Sequence, residues 1–144
     1  MRFDDSFSLE VLKGGECAGV VLYKVKLKEK VGIFKGIGVD EEYKGTGLSK
    51  FLAEMAMTHM KAMGVRKVIA QEVVSIEAAV ILLKYGFKFR VKGQAHWHKL
   101  RKKVMNYERI PTGVDYVLKD IRSFKRNAVC SLRVLRRIVN LLQT

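Results

Sequence analysis

The hydrophobic period of this sequence changes at Leu48, and that change limits the folds that the chain can adopt. Upstream, apolar and polar residues alternate over residues 7–12 and 18–28, which is the period of half-buried strands. Downstream, apolar residues recur every three or four positions as far as Met63, which is the period of an amphipathic helix. Gly45 and Gly47 lie between the two patterns. The sequence therefore predicts strands that lead through a glycine loop into a helix.

Strands and helices are expected on both sides of this loop. Residues 7–39 predict an antiparallel β-meander, and the glycines of residues 31–39 indicate a bulge or a close backbone approach in its last strand. The β-branched residues over 65–74 predict a further strand. Ser75 is a suitable N-cap for a second helix, which Gly86 would end, and residues 87–93 predict another strand.

The C-terminal third of the chain carries weaker patterns. Residues 94–107 alternate weakly and favour a strand, whereas Thr112 and Asp115 resemble a capping pair that would begin a short helix over residues 114–124. Residues 128–143 carry an apolar stripe and predict a longer helix. We therefore expect a first domain over residues 1–110 and a basic helical extension over residues 111–144, packed on that domain or on a partner.

Positive charge is concentrated in the second half of the 144-residue chain. Residues 1–60 hold nine basic and nine acidic side chains, so the whole net charge of +14 belongs to residues 61–144. No acidic residue occurs over residues 78–107, which hold eight Lys or Arg and two His. This asymmetry predicts an anionic partner: a nucleic acid, a phosphorylated cofactor or an acidic membrane surface. The alternative is a solvated basic surface.

The sequence lacks the features typical of membrane-spanning and secreted proteins. The longest uncharged apolar run falls far short of the ~20 residues that a spanning helix needs. The acidic N-terminus lacks the basic and apolar segments of a signal peptide. Cys17 and Cys130 stand apart without a metal-binding spacing, as expected in a reducing compartment. We therefore expect a cytoplasmic protein without a transmembrane segment or a bound metal.

The glycine loop has the properties of a phosphate site. The first N–H groups of a helix lack internal partners and lie at the positive end of its dipole, and glycines let a ligand approach the backbone. Lys44 and Lys50 add positive charge, while Thr46 and Ser49 add hydroxyl donors. The spacing matches neither the P-loop nor the dinucleotide-binding motif, so an ordinary tight turn is the alternative.

Two segments resemble the signatures of the GCN5-related N-acetyltransferase (GNAT) family, which binds acetyl-CoA. The segment VDEEYKGTGLS, residues 39–49, is similar to the family's pyrophosphate-binding pattern, with Lys44 where Arg or Gln is usual and Glu41 in place of proline. The segment SIEAAVILLKYGF, residues 75–87, is similar to its second signature, with Ser75 in the Asn position. The resemblance covers about residues 7–103.

This resemblance implies an α+β, three-layer fold in which helices flank a mixed, mainly antiparallel sheet. It also implies that acetyl-CoA, or another acyl-CoA, binds with its pyrophosphate on the loop and its pantetheine amides along the preceding strand. The acetyl group would lie where the strand over residues 31–39 diverges from that over residues 65–74. The implied binding residues are Ile37, Gly38, Val39, Lys44, Gly45, Thr46, Gly47, Leu48, Ser49, Lys50 and Ser75.

The sequence departs from the family at the positions that carry proton transfer. Many members use a Tyr to protonate the departing thiolate, and Leu82 stands at that position. The remaining candidates are Glu72, at the end of a predicted strand, then His98 with His96, and Tyr85. Each has an alternative as a solvated or packing side chain. An active enzyme that works largely by positioning and a GNAT-fold protein without catalysis are both open.

The basic half of the chain bears on the acceptor. Aromatic residues lie among its cations, and Trp97 is the candidate for stacking on bases, whereas Phe87 and Phe89 are expected in the core. We therefore expect an N-acyltransferase whose amine acceptor is attached to, or associated with, a nucleic acid bound by residues 84–137. The alternative is an inactive GNAT-fold protein that acts as a basic nucleic-acid-binding or assembly component.

Two further expectations concern the ends of the chain. The C-terminal helix would pack on its own domain, form a homodimer or lie on an anionic membrane. The N-terminal strand and helix pair that walls the acceptor site in the family has no counterpart before residue 7, so we expect an open acceptor site.

Overall fold

The computed structural model describes residues 4–71, 73, 75–89, 91, 93–111 and 114–124. Its strands are β1 (Asp4–Lys13), β2 (Glu16–Lys26), β3 (Val31–Val39), β4 (Lys67–Ala70), β5 (Lys88–Phe89) and β6 (Tyr116–Leu118). Its α-helices are α1 (Leu48–Ala62), α2 (Ile76–Lys84) and α3 (Gln94–Met105), and 3-10 turns span Glu41–Tyr43 and Ile121–Ser123. The strands form one sheet in the order β1-β2-β3-β4-β6-β5, and of the described pairs only β3–β4 is parallel. The predicted α+β class with a mainly antiparallel sheet is confirmed.

One row of paired residues crosses all the described strands and supports the helices. From β1 to β5 the row is Phe7, Tyr23, Phe34, Ala70, Tyr116 and Phe89, each the register partner of the next. Paired residues point to the same face of a sheet, so the aromatic rings share one side. Ring centroids are 5.4 Å apart for Phe7 and Tyr23 and 5.5 Å apart for Phe89 and Tyr116. Such ring pairs add about 0.5–1.5 kcal/mol beyond burial, so this face forms the centre of the core.

Helix α1 packs on this face of β2 and β3. The fully buried members of its apolar stripe include Leu48, Leu52, Met57 and Met60, and burial of each is worth about 1.5–3 kcal/mol. Gly19 of β2 allows the close approach, because a Cβ there would lie 2.9 Å from Leu48 Cδ2. Gly19 therefore lets the first turn of α1 pack closely on the sheet, and a larger side chain there would displace the Leu48 side chain.

Helix α2 begins and ends where the sequence predicts. The Ala78 N–H donates to the Ser75 hydroxyl at 3.2 Å, and Gly86 follows the last turn with a φ of 93°. Phe87 and Phe89 are buried, which confirms that both belong to the core. Helix α2 contacts α3, and Tyr85, the residue that ends α2, donates a hydrogen bond to Glu54 of α1.

Residues 94–105 form helix α3, and the strand predicted there is wrong. Trp97, Leu100 and Val104 recur at helical spacing and pack on the core, with Val104 fully buried. The Trp97 ring lies against Phe89, with centroids 4.4 Å apart, so its ring packs inward rather than projecting for a base to stack on. Lysine and arginine occupy polar positions in this segment whether it is read as an alternating strand or as an amphipathic helix. The sequence pattern was therefore compatible with both structures.

The short helix predicted over residues 114–124 is also wrong. Tyr116, Val117 and Leu118 form β6, which lies between β4 and β5 with all three side chains buried. A strand of three residues is too short to show an alternating hydrophobic pattern. Its position in the sheet depends instead on partner strands that are distant in the chain. The sheet thus continues beyond residue 110, where we predicted the helical extension to begin. Thr112 and the predicted C-terminal helix over residues 128–143 lie outside the described residues.

Candidate functional site

The sheet divides between β3 and β4, and the division leaves an open strand edge. Residues 31–34 of β3 pair with residues 67–70 of β4, whereas β3 pairs with β2 as far as Val39. Residues 35–39 therefore have no strand partner on the β4 side in the described part of the chain. Their N–H and C=O groups on that edge can pair with an extended ligand in the way that an added strand would.

A bulge lies at the point of division. Tyr23 pairs with Phe34 and Leu22 pairs with Gly36, so Lys35 has no partner on β2. A bulge bends its strand and increases the local twist, which turns the rest of β3 away from β4. A Cβ at Gly36 would meet nothing within 4 Å, so open space lies beside the bulge. The bulge predicted from the glycines of this strand is confirmed.

The glycine loop joins β3 to α1 and is held at both ends. Asp40 caps the 3-10 turn by accepting a hydrogen bond from the Glu42 N–H at 3.1 Å, and Leu48 is buried beneath the first turn of α1. Between them, Gly45 and Gly47 have φ values of 78° and 92°. Residues that carry a Cβ atom are strained at positive φ angles such as these. This loop conformation therefore requires glycine at both positions.

The first turn of α1 carries N–H groups that the helix itself does not use. The first helical hydrogen bond runs from the Phe51 N–H to the Gly47 carbonyl at 2.9 Å. The Leu48 N–H reaches Thr46 Oγ1 at 3.4 Å, a long and weak bond. The N–H groups of residues 47, 49 and 50 have no acceptor among the described residues. Since this turn contains no acidic residue, the helix dipole favours an anion there.

Two lysines beside the loop are able to contact an anion. Lys44 Nζ lies 2.8 Å from Glu41 Oε2, and both side chains are exposed. The hydrogen bond to Glu41 and its negative charge raise the pKa of Lys44. Solvent screens such a pair, so an incoming phosphate can replace Glu41. Lys50 is exposed in the first turn of α1.

The start of α2 lies within electrostatic range of the loop. Hydrogen bonds from its own backbone N–H and from the Ser75 hydroxyl lower the pKa of Glu77, and the charge of Lys44 lowers it further. The Ser75 hydroxyl is thus shared between the cap of α2 and Glu77 Oε2, which lies at 2.8 Å. A contact between Ser75 and a cofactor stays a prediction.

The predicted catalytic residues lie in different surroundings. Glu72 is outside the described residues. His98 is exposed on α3, while His96 lines a separate cavity, because residues two apart on a helix point in different directions. The Tyr85 hydroxyl donates a 2.8 Å hydrogen bond to Oε1 of buried Glu54. Burial, then this bond and the charge of Glu54, raise the pKa of Tyr85. Tyr85 therefore ties α2 to α1, and its catalytic role stays a prediction.

Tyr116 is a candidate that sequence reasoning missed. It pairs with Ala70, the last residue of β4 before the sheet divides. Its hydroxyl is buried without a hydrogen-bond partner among the described atoms, and burial raises its pKa to about 12. The helix predicted over residues 114–124 concealed it, although the run Tyr-Val-Leu has high β-propensity. Leu82, by contrast, is packed in the core.

Neither a metal site nor a membrane span is found among the residues described. Their His, Cys, Asp and Glu side chains form no group suited to a metal ion. None of their helices combines the length and apolar character needed to cross a bilayer.

Comparisons with known proteins agree with this geometry. The model of the acetyltransferase (GNAT) family matches residues 2–87, which contain β3 with its open edge, the glycine loop and α2. The fold is similar to that of an acetyltransferase from Bacillus cereus ATCC 14579, with 18% identity, a TM-score of 0.56 and coverage of 79% of this chain and 71% of that chain. It is also similar to a GNAT-family acetyltransferase from Staphylococcus aureus Mu50, with 13% identity, a TM-score of 0.58 and coverage of 81% and 68%.

A third similar fold is that of the ribosomal-protein-S18-alanine N-acetyltransferase from Escherichia coli. The identity is 16%, the TM-score is 0.54, and the alignment covers 78% of this chain and 66% of that chain. At such identities these likenesses concern the fold alone. Comparison with curated proteins gives no match.

Proposed function

Since the chain belongs to the acetyltransferase (GNAT) family, we propose that it transfers an acetyl group from acetyl-CoA to an amine. The observation that carries this proposal is the open edge of residues 35–39, which leads directly into the glycine loop. The edge offers N–H and C=O groups that suit the amides of pantetheine. The loop offers N–H groups and lysines that suit a pyrophosphate.

The residues present fit the cofactor. The backbone of Ile37, Gly38 and Val39 would pair with it, and the first turn of α1, with Lys44 and Lys50, would hold its phosphates. Both parts are rigidly supported, because β2 pairs with this stretch of β3 and buried Leu48 anchors the turn. Gly45 and Gly47 keep the loop backbone free of side chains.

When bound, acetyl-CoA supplies its acyl group as a thioester that an amine attacks directly. The chain would contribute chiefly by positioning, which lowers such barriers by up to roughly 7–11 kcal/mol. The backbone N–H of Lys35, which has no register partner on β2, is the proposed donor to an oxygen that gains negative charge. Glu72 and His98 are the proposed bases for the amine proton. Tyr116, whose hydroxyl has no hydrogen-bond partner among the described atoms and which pairs with the last residue of β4, is the proposed donor to the sulfur.

We propose further that the acceptor amine belongs to a nucleic acid or to a molecule associated with one. The support is the charge of +14, all of it in residues 61–144, and the absence of acidic residues over 78–107. A second function has one observation in its favour. Leu82 is buried in the core, which suits a protein that binds acyl-CoA and an anionic partner without transferring the acyl group.

Calorimetric titration with acetyl-CoA tests the cofactor site. Gly47→Glu places a carboxylate beside the proposed pyrophosphate, and since opposed like charges cost several kcal/mol we expect binding to weaken about 100-fold. The matched control is Gly64→Glu, which replaces another glycine of positive φ, 90°, with open space around it. Gly64 follows the opposite end of α1, a helix roughly 22 Å long at 1.5 Å per residue.

Wild-type binding lost in Gly47→Glu and retained in Gly64→Glu would support the site. Absence of acetyl-CoA binding to the wild type would exclude the proposed function. Release of free CoA thiol, followed with a panel of amines, then separates the enzyme from the binding protein.

A further inference from the structure

A cavity of about 410 Å³ lies between α3 and the segment that leads to β6. This size is typical of sites for small molecules or single groups of larger ones. Its apolar wall is formed by Val91, Leu100, Pro111 and Val114. Its polar wall is formed by His96, Lys99, Lys103 and Arg109. We call this cavity the basic pocket.

The cations of the basic pocket are brought together by the helix and its following loop. His96, Lys99 and Lys103 are separated by three and four residues, so they lie along one face of α3. Arg109 reaches the same cavity from the loop after the helix. In a strand, His96 would have pointed away from Lys99 and Lys103. The helical fold of this segment therefore creates the pocket.

These charges have no balancing partner in the part of the chain that the structure describes. The residues that line the pocket include no Asp or Glu. None of the three cationic side chains, Lys99, Lys103 and Arg109, forms an ion pair with a described carboxylate. Like charges that converge repel one another, and a bound anion relieves that repulsion. An arginine and two lysines together match the charge and the several oxygens of a phosphate group.

The basic pocket lies at the end of the sheet where the cofactor site is proposed. Phe89, Tyr116 and Ala70 pair in one row, so the chain leaves β5 and enters β6 at the end where β4 finishes. Parallel β3 also points its C-terminal end, and hence the glycine loop, in this direction. A ligand held in the basic pocket is therefore on the sheet end from which an acceptor would approach.

We propose that the basic pocket binds a phosphate group of the acceptor, separately from the pyrophosphate loop. The phosphate would contact Lys99, Lys103 and Arg109, while the amine extends towards the division of the sheet. The assignment to the acceptor rests on the proposed function, but binding of phosphate itself does not. The phosphate could come from a small phosphomonoester or from a nucleic acid strand, since both present the same oxygen atoms.

Titration of the ¹⁵N-labelled protein with inorganic phosphate at constant ionic strength tests the pocket without any cofactor. We expect shifts at residues of the pocket and at least about a tenfold loss of affinity in Lys99→Gln/Lys103→Gln. The matched control is Arg101→Gln/Lys102→Gln, which removes the same charge from exposed positions of the same helix outside the pocket. Equal weakening by both pairs, or by neither, would overturn the proposal. Arg109→Gln provides an independent test outside the helix.

Two further experiments distinguish phosphate binding in the basic pocket from binding at the proposed cofactor site, and distinguish the two sources of phosphate. Gly47→Glu should leave phosphate binding in the pocket unchanged, and loss of that binding would show that the phosphate occupies the glycine loop instead. Phosphoethanolamine and a short single-stranded oligonucleotide are then compared as competitors of phosphate. Competition that depends on Lys99 and Lys103 supports the pocket and identifies the source by relative affinity. Competition by neither would overturn the link to an acceptor.

Discussion

Replacing Tyr85 with phenylalanine separates a packing role from a catalytic one. The hydroxyl donates to Glu54 at 2.8 Å, and the ring contacts Phe124 with centroids 5.4 Å apart. The substitution keeps the ring and removes only the hydrogen bond. Bonds to charged groups contribute about 1.5–3 kcal/mol. Because Glu54 makes further interactions, we expect the free energy of unfolding to fall by an amount near the lower end of this range, about 1.5–2 kcal/mol.

The loss is measurable by urea denaturation at neutral pH and by calorimetry. For a domain of this size it corresponds to a fall in Tm of about 4–8 °C. Tyr107→Phe is the matched control, since Tyr107 is 58% exposed and should change stability by less than about 0.5 kcal/mol.

Acetyl transfer by the folded fraction of Tyr85→Phe should be unchanged, because its hydroxyl is engaged between two helices. A fall in kcat of about 100-fold with unchanged unfolding free energy would refute this reasoning, since general acid–base groups contribute about that much. Tyr85 would then be a proton donor, as the sequence allowed.

Three other outcomes are expected. Tyr116→Phe removes a buried hydroxyl that has no hydrogen-bond partner among the described atoms, so stability should stay level or rise by about 1 kcal/mol. A simultaneous fall in kcat at constant KM would identify Tyr116 as the proton donor. Ser75→Ala should cost about 1 kcal/mol by loss of the cap of α2, with rescue by Ser75→Asn, and an altered acetyl-CoA affinity would reveal a direct contact. The contribution of Tyr116 to stability should be constant below pH 10 and fall between pH 10 and 12, because folded Tyr116, with a pKa of about 12, keeps a proton that the unfolded chain loses near 10. Between pH 10 and 12 the unfolding free energy of Tyr116→Phe should therefore fall less steeply than that of the wild type, and identical slopes would contradict the assignment.

Local sequence signals were sufficient for the elements that position the proposed cofactor site. The change of period at Leu48 predicts the transition from strand to helix, and the positive φ values of Gly45 and Gly47 explain why glycine occurs there. Ser75 and Gly86 mark the ends of α2 because capping depends on neighbouring backbone groups. Each of these features is determined within a few residues, so a single sequence contains the necessary information.

The features that the sequence did not predict depend on contacts between residues that are distant in the chain. Residues 94–105 satisfy two periods, and contact of Trp97 with Phe89 selects the helix. The three residues of β6 become a strand because β4 and β5 provide partners on both sides. Only the tertiary structure brings Tyr85 to Glu54 and joins Arg109 to the cationic face of α3. The sequence by itself determined where the glycine loop lies, since local backbone geometry requires its glycines. Packing between distant segments decided the contacts of Tyr85 and the lining of the basic pocket, because such contacts leave no fixed spacing in the chain.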